Sequence, residues 1–257
     1  MRLNENIALS APQVLLVPYD PHHVPRYHEW MEDPAIREAT ASDRLTLAEE
    51  YENQTSWREA PDKLTFIICE PLMPHDGTSE DLGTDYAETV VAGEADSPGR
   101  MIGDVNLFLT PWDGDDGEEQ GQGKAYVNAE IDIMIADPRH RGRGLGRATL
   151  TAFLLFIRSH LDGILAEYAG ASSEDANGNG SSTPELKDVV AKINAGNQSS
   201  IKLFKSMGFS QRGGVNYFGE IEMVLEGLGV KEGKVGEELA GTAATSECFY
   251  DRSRLKE

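Results

Sequence analysis

The sequence predicts an α/β (α+β) domain, a mixed sheet with helices on both faces. Three observations point there. Strand-like and helix-like stretches alternate in the order strand, two helices, three strands, helix, strand, helix, strand. In Lys124–Asp137, Ile131, Ile133 and Ile135 alternate with Glu130, Asp132 and Met134, the period of a strand with one buried face. Directly after it, "RHRGRGLGR" (Arg139–Arg147) sets four arginines, a histidine and three glycines ahead of an apolar run.

The elements follow in chain order. "QVLLVPYD" (Gln13–Asp20) reads as the first strand, ended by Pro18 and "DPHH". "VPRYHEWMED" (Val24–Asp33) reads as a short helix, with Pro25 in the first turn, where a missing N–H costs nothing. Thr46 followed by Glu49 is a capping box that opens "TLAEEYENQTSWRE" as a second helix. "KLTFIICE" (Lys63–Glu70) and "RMIGDVNLFL" (Arg100–Leu109) are strands. Between them, 71–99 has the acidic, Gly/Ser/Asp composition of an insertion, as does 111–124. The glycine–arginine loop leads into a helix from about Leu145, with Phe153, Phe156 and Ile157 on its apolar face. The low-complexity segment 170–185 is expected to be disordered. "LKDVVAKINAG" is a strand, "NQSSIKLFKSMGF" a helix closed by Gly208, and Val215–Glu226 the last strand. The expectation is one domain over 1–226 with a mobile tail over 227–257.

Composition narrows the function. A formal net charge of -21 argues against a general nucleic-acid binder, which needs a basic footprint. Glu70 to Asp96 holds eight acids and no Lys or Arg, the pattern of a solvated loop. Two cysteines, Cys69 and Cys248, and histidines without metal spacing suggest neither a disulfide framework nor a metal site. No apolar stretch near the roughly 20 residues of a membrane span is read in the sequence. The first residues lack the apolar core of a signal peptide. The expectation is a soluble monomer of the cytoplasm, with the nucleus as an alternative.

Glycines allow tight turns, and a helix start offers unpaired N–H groups and partial positive charge; together they cradle a phosphate. A P-loop would need Gly-Lys-Ser/Thr, but Gly146 is followed by Arg147-Ala148. A dinucleotide fingerprint needs G-x-G-x-x-G, whereas Gly142, Gly144 and Gly146 are evenly spaced. "RGRGLG" (Arg141–Gly146) does match R-x-x-G-x-G. With the preceding isoleucine strand and "NAGNQSSIKLFKSMGF" downstream, the chain resembles the GCN5-related N-acetyltransferase (GNAT) superfamily. "LVPYDPHHVPRYHEWMEDPAI" and "LAEEYENQTSWREAPDKLTFI" are similar to its eukaryotic N-acetyltransferase 9-like branch. The resemblance spans Val14 to Glu226 apart from the insertions.

That resemblance implies a six- to seven-stranded, mostly antiparallel sheet, splayed between its fourth strand (Glu130–Ala136) and its fifth (Val189–Ile193). Acetyl-CoA would enter the splay as co-substrate, with no metal, and the acceptor would be a primary amine of a protein or peptide. Backbone N–H groups of Arg143, Gly144, Leu145, Gly146 and Arg147, with Arg141 and Gly142 beginning the loop, would hold the pyrophosphate. The N–H of Met134 or Ile135 would polarise the thioester carbonyl. Asn197 would reach the pantetheine arm or cap its helix, and Phe204 falls where many members carry a tyrosine acid. Water, Tyr217 or Tyr126 could replace that acid, or none is needed because a CoA thiol is itself fairly acidic. Glu130 and Asp132 share a strand face and are the candidate bases, with Glu130 ranked first. Lys192, on the acceptor side with them, stands where ribosomal-protein acetyltransferases often carry a glutamate. Tyr27, Trp30, Trp57 and Arg58, on the first two helices, would border the acceptor. An acetyl-CoA-binding regulatory module is the second reading.

Overall fold

The computed structural model describes residues 1–72, 89–112, 114, 125–172, 183–229 and 245–255. In chain order they form β1 (Ile7–Ser10), β2 (Leu15–Pro18), α1 (Val24–Met31), α2 (Pro34–Thr40), α3 (Leu47–Glu59), β3 (Lys63–Cys69), β4 (Thr89–Val91) and β5 (Met101–Pro111). There follow β6 (Tyr126–Ile135), α4 (Leu145–Ser172), β7 (Glu185–Asn194), α5 (Gln198–Ser206), β8 (Ser210–Arg212), β9 (Glu220–Glu226) and β10 (Ser246–Asp251). The strands make one sheet in the order β4-β10-β1-β2-β3-β5-β6-β7-β9-β8. Neighbours run antiparallel except β10–β4 and β6–β7.

Each face of the sheet buries its own apolar cluster. Under one face lies α4, whose Phe153 and Phe156 meet Phe66 edge-on, joined by Ile201 and Phe204 of α5. On the other face Tyr27, Trp30 and Met31 of α1 and Ile36 of α2 cover Val17, Ile67 and Met134. α3 begins at the expected capping box: Thr46 Oγ1 accepts from the Glu49 N–H, and the Glu49 carboxylate accepts from the Thr46 N–H. Leu145–Gly170 of α4 is long and apolar enough to cross a membrane by length and composition, which corrects the sequence reading. Here Leu150, Ala152, Phe153, Leu154, Phe156 and Ile157 are buried against the sheet, as in a core helix.

Several boundaries differ from the sequence reading. A strand, β1, precedes Gln13–Asp20. α2 was missed; it is only seven residues long and starts at Asp33, whose side chain accepts from the Ala35 N–H. The last strand of the reading shortens to Glu220–Glu226, and Val215, Tyr217 and Phe218 sit exposed in the turn after β8. The supposed insertion 71–99 returns to the fold at β4, and Asp96 beyond it is fully buried. Over 245–255 the expected mobile tail is structure: β10 lies between β1 and β4. At the other end of that tail Leu228 is buried in the core, while 230–244 and 256–257, and most of 111–124 and 170–185, lie outside the described residues.

Asp96 ties these returning segments together. Its Oδ2 receives His22 Nε2 at 3.0 Å, His23 Nε2 at 2.9 Å and the Tyr250 hydroxyl, and its Oδ1 accepts the Gly93 N–H at 2.6 Å. The side-chain atoms of His22, His23 and Asp96 lie within 4.8 Å of one another, close enough for a metal. The proton count speaks for a hydrogen-bond hub instead. His23 Nδ1 accepts the Asp20 N–H, so its Nε2 carries the proton given to Asp96.

Candidate active site

β6 and β7 run parallel from Tyr126↔Glu185 only as far as Glu130↔Val190. Beyond that pair the strands part, which is the splay expected between the fourth and fifth strands. Ile131–Ile135 keep β5 on one side and lose β7 on the other. Ala136 N–H reaches Ile102 O, so by the alternation of an antiparallel ladder Met134 N–H turns to β5 while Ile133 and Ile135 N–H turn into the splay. Of the two proposed oxyanion donors, Ile135 is therefore placed to act and Met134 is engaged in the sheet. Gly103 permits this: a Cβ there would lie 1.8 Å from the Met134 carbonyl oxygen.

The glycine–arginine loop closes the mouth of the splay. Arg141 donates to Ile135 O at 2.9 Å and Ala136 O at 3.1 Å, fastening the loop to the end of β6. Gly142 and Gly144 take φ of +71° and +83°, a left-handed conformation that favours glycine. Gly144 O accepts the Ala148 N–H, so Gly144 caps α4 and has no side chain with which to bond the first turn. The N–H groups of Leu145, Gly146 and Arg147 thus lack helical partners and carry the positive end of a long helix. Gly146 lets α4 meet α5: a Cβ there would touch Leu203 at 3.0 Å. Arg147 turns away and bonds Ser206 O and Oγ at 2.9 and 3.0 Å, which leaves exposed Arg143 as the loop's free guanidinium among the described residues. This cradle fits a pyrophosphate.

Glu130, Asp132 and Met134 share the sheet face under α1, as their spacing implied. Glu130 is held by Lys192 of β7, Nζ to Oε2 2.6 Å. Asp132 has no ion pair among the described residues. Burial, then the charges of Glu130, Asp104 and Glu220, push its carboxyl up to about 7, against the pull of Lys192. Asp132 keeps surface open to solvent through the splay. Water reaching the carboxyl there weakens the burial contribution, so the like charges of its neighbours are the firmer cause.

One strand behind lies a residue the sequence reading missed. Asp104 of β5 is buried at 2% exposure and accepts from Asn106 Nδ2 at 2.9 Å and the Tyr27 hydroxyl at 3.2 Å. Asn106 Oδ1 in turn accepts from Thr65 Oγ1 at 2.8 Å. In "RMIGDVNLFL" an Asp and an Asn two apart look like the wet face of a strand, and only α1 packing over them makes them a core network.

Other expectations need correction. Tyr27 and Trp30 are buried in the α1 core and do not face an acceptor from the surface. Arg58 is spent on Asn4 Oδ1 at 2.7 Å and Asp20 Oδ1 at 3.2 Å. Trp57 meets Phe108 edge-on at 5.6 Å, and Phe108 lies opposite Glu130, so this aromatic pair packs beside the Glu130–Lys192 ion pair. Phe204 is 2% exposed and packs in the core, edge-on against Phe209. Asn197 Oδ1 accepts the Ser200 N–H at 3.1 Å, the helix-capping alternative. Tyr126 opens β6 nine residues before Ile135, about 30 Å away at strand rise, too far to return a proton. Tyr217 is 97% exposed in its turn.

Comparison with known proteins bears on the family and the fold. A family model described as the acetyltransferase (GNAT) domain matches residues 13–210. The chain is 36% identical over 225 residues to the alpha/beta-tubulin-N-acetyltransferase 9 of Drosophila melanogaster, covering 87% of this chain and 88% of that protein. It is 34% identical over 226 residues to an N-acetyltransferase 9-like protein of Dictyostelium discoideum, covering 88% of each. Among solved structures it resembles AAC(6')-Ib in complex with ribostamycin and coenzyme A, with a TM-score of 0.50 at 17% identity over 86% of this chain and 98% of that one. That likeness is one of fold.

Proposed function

Because this chain belongs to the GNAT acetyltransferase family, and within it to the N-acetyltransferase 9-like branch of N-acetyltransferases, we propose that it moves an acetyl group from acetyl-CoA to an amine of a protein. Relatives named for alpha/beta-tubulin make tubulin the acceptor to test first. The observation that carries the reading is the parting of β6 and β7 at Glu130↔Val190, which opens Asp132 and the Ile135 N–H beside a glycine-capped helix start. Bound acetyl-CoA supplies an activated acetyl thioester. The unpaired N–H groups of Leu145, Gly146 and Arg147 hold its pyrophosphate, and Arg143 adds charge. The Ile135 N–H would donate to the carbonyl oxygen as negative charge gathers there; the C–S bond then breaks, and the departing CoA thiolate takes up the second amine proton by way of solvent. Asp132 takes the proton of the incoming ammonium; a carboxyl raised to about 7 is suited to that near neutral pH. Lys192 keeps Glu130 engaged and so leaves the proton to Asp132.

Labelled acetyl-CoA incubated with the full chain and tubulin dimers tests this. Transfer of label to tubulin, with a rise in melting temperature on adding acetyl-CoA alone, is the expected result. A rise without transfer to tubulin or to a peptide library favours the second reading, a regulatory acetyl-CoA-binding module. That reading has one observation behind it: core-buried Phe204 offers no acid where many members have a tyrosine. No rise at all overturns both.

A further inference from the structure

The polar network behind Asp132 is more than packing requires. Asp104 lies opposite Met134 and Asn106 opposite Asp132 in the β5–β6 register, so Asp104 and Asp132 are diagonal neighbours on one face. Such neighbours sit about 7–8 Å apart in an antiparallel pair. We propose that Asp104 is a positioning residue for acetyl transfer, a carboxylate fixed in the core that acts through its charge on Asp132, the group that receives the amine's proton. The inference rests on the reading of Asp132 as base.

The geometry holds Asp104 in its charged form. Both side-chain bonds it receives, from Asn106 Nδ2 and the Tyr27 hydroxyl, come from donors and favour a carboxylate. Thr65 fixes the Asn106 amide by donating to its oxygen, so the amide nitrogen must face Asp104. No cation pairs with Asp104 among the described residues. Burial pushes its carboxyl up to about 6, against the pull of Asn106 and Tyr27, which still leaves it ionised above neutral pH. Around Asp132 the facing charges are Glu130 on its own strand, Asp104 from β5, Lys192 from β7 and Glu220 from β9. Around Asp104, α1 contributes Tyr27, and Tyr19 and Glu50 stand beyond it, with His28 beside Glu50. Glu130 is partly neutralised by Lys192, and Glu220 is only half-buried. Asp104 is the like charge that water screens least.

A purely structural Asp104, anchoring α1 through Tyr27, would affect melting alone. Carbon-13 spectra of the full chain, labelled at aspartate carboxyls and titrated over roughly pH 5 to 9, separate the roles; the Asp132 signal is assigned with Asp132→Asn. Asp104→Asn is expected to lower the Asp132 midpoint by about one unit, the usual scale for losing a near like charge. The acid limb of kcat/KM with tubulin should move down with it, while KM for acetyl-CoA stays put. Tyr27→Phe keeps the ring and removes one donor from Asp104. It should shift the Asp132 midpoint the same way by less, and it serves if Asp104→Asn does not fold. An unmoved or raised midpoint in a folded variant overturns the proposal. Full activity in Asp132→Asn would instead overturn the base assignment, whatever Asp104 does.

Discussion

Burial and the like charges of its neighbours push the native Asp132 carboxyl up to about 7, whereas an aspartate in an unfolded chain ionises near pH 3.9. Its folded value is raised, so between about pH 4 and 7 the unfolded chain releases a proton that the native one keeps. The stability this residue contributes is fullest below about pH 4 and is lost as pH climbs to 7. Asp132→Asn should therefore melt higher than the wild type at pH 8, with the gain vanishing below about pH 4 by thermal scans. Water reaching the carboxyl keeps that gain small. The same variant should lose roughly 10²- to 10⁴-fold in acetylation rate, the range for removing a general base. Glu130→Gln, which frees Lys192, should lose less than tenfold by the same comparison. A dead Glu130→Gln beside an active Asp132→Asn would restore the order the sequence suggested, in which Glu130 came first. Nothing in residue type or spacing separates these two acids. What separates them is Lys192, which arrives from β7 some sixty residues later.

At the scale of elements, what was legible in the sequence was what is encoded locally. The capping box of α3, the apolar face of α4, the alternation of β6 and the glycine loop all lie within one element or its first turn, and each appears where expected. The short pieces were not legible. α2, β4 and β8 have seven residues or fewer, too few to show a period, and β4 is held by β10, about 160 residues away in sequence. Asp104 was invisible for the same reason, since α1 rather than β5 makes it a core residue. The glycine loop gives the prediction at this scale. Gly144→Val puts a β-branched residue at φ +83°, costing about 1–2 kcal/mol if the loop holds its shape. If the loop relaxes, the N–H groups of Leu145 to Arg147 turn away. Either way, acetyl-CoA at a hundred times its wild-type Kd should no longer give the roughly 2.7 kcal/mol of stabilisation that mass action provides. The unliganded protein should remain folded, because no heavy atom outside its neighbours lies closer than 3.7 Å to a Cβ there. Thermal shift with and without acetyl-CoA reads both.

Over the whole molecule, the last described strand closes the sheet near where the chain begins. β10 pairs with β1 from Ile7↔Phe249 to Ser10↔Ser246 and carries β4 on its other edge. Tyr250 is fully buried with its hydroxyl on Asp96, and Arg252 grips Asp20 through Nε at 2.6 Å and Nη2 at 3.1 Å. Asp20 also receives Arg58, so the start of α1, the end of α3 and the C-terminal strand meet on one carboxylate. Composition reads this region as a Gly/Glu/Lys tail, because its apolar residues, Cys248 and Tyr250, find their burial against β1 and the returning β4, both far away in sequence. Burial pushes the Asp96 carboxyl up, and the bonds from His22, His23 and Tyr250 more than reverse this, leaving it well below the usual range. A depressed carboxyl stabilises above its unfolded value near 3.9 and loses that contribution as pH falls toward its folded value. Removing residues 245–257 should therefore do what removal of a loose tail would not. It strips β1 and β4 of a shared partner and leaves Asp96 and Asp20 short of donors, so little soluble protein should be recovered. Tyr250→Phe keeps the ring and deletes one donor to Asp96, and should cost about 1–3 kcal/mol in denaturant titration at pH 7. That cost should shrink below about pH 4, as Asp96 in the variant takes up a proton more readily. A truncated chain that melts like the wild type would mean that β10 rests on the sheet without supporting it.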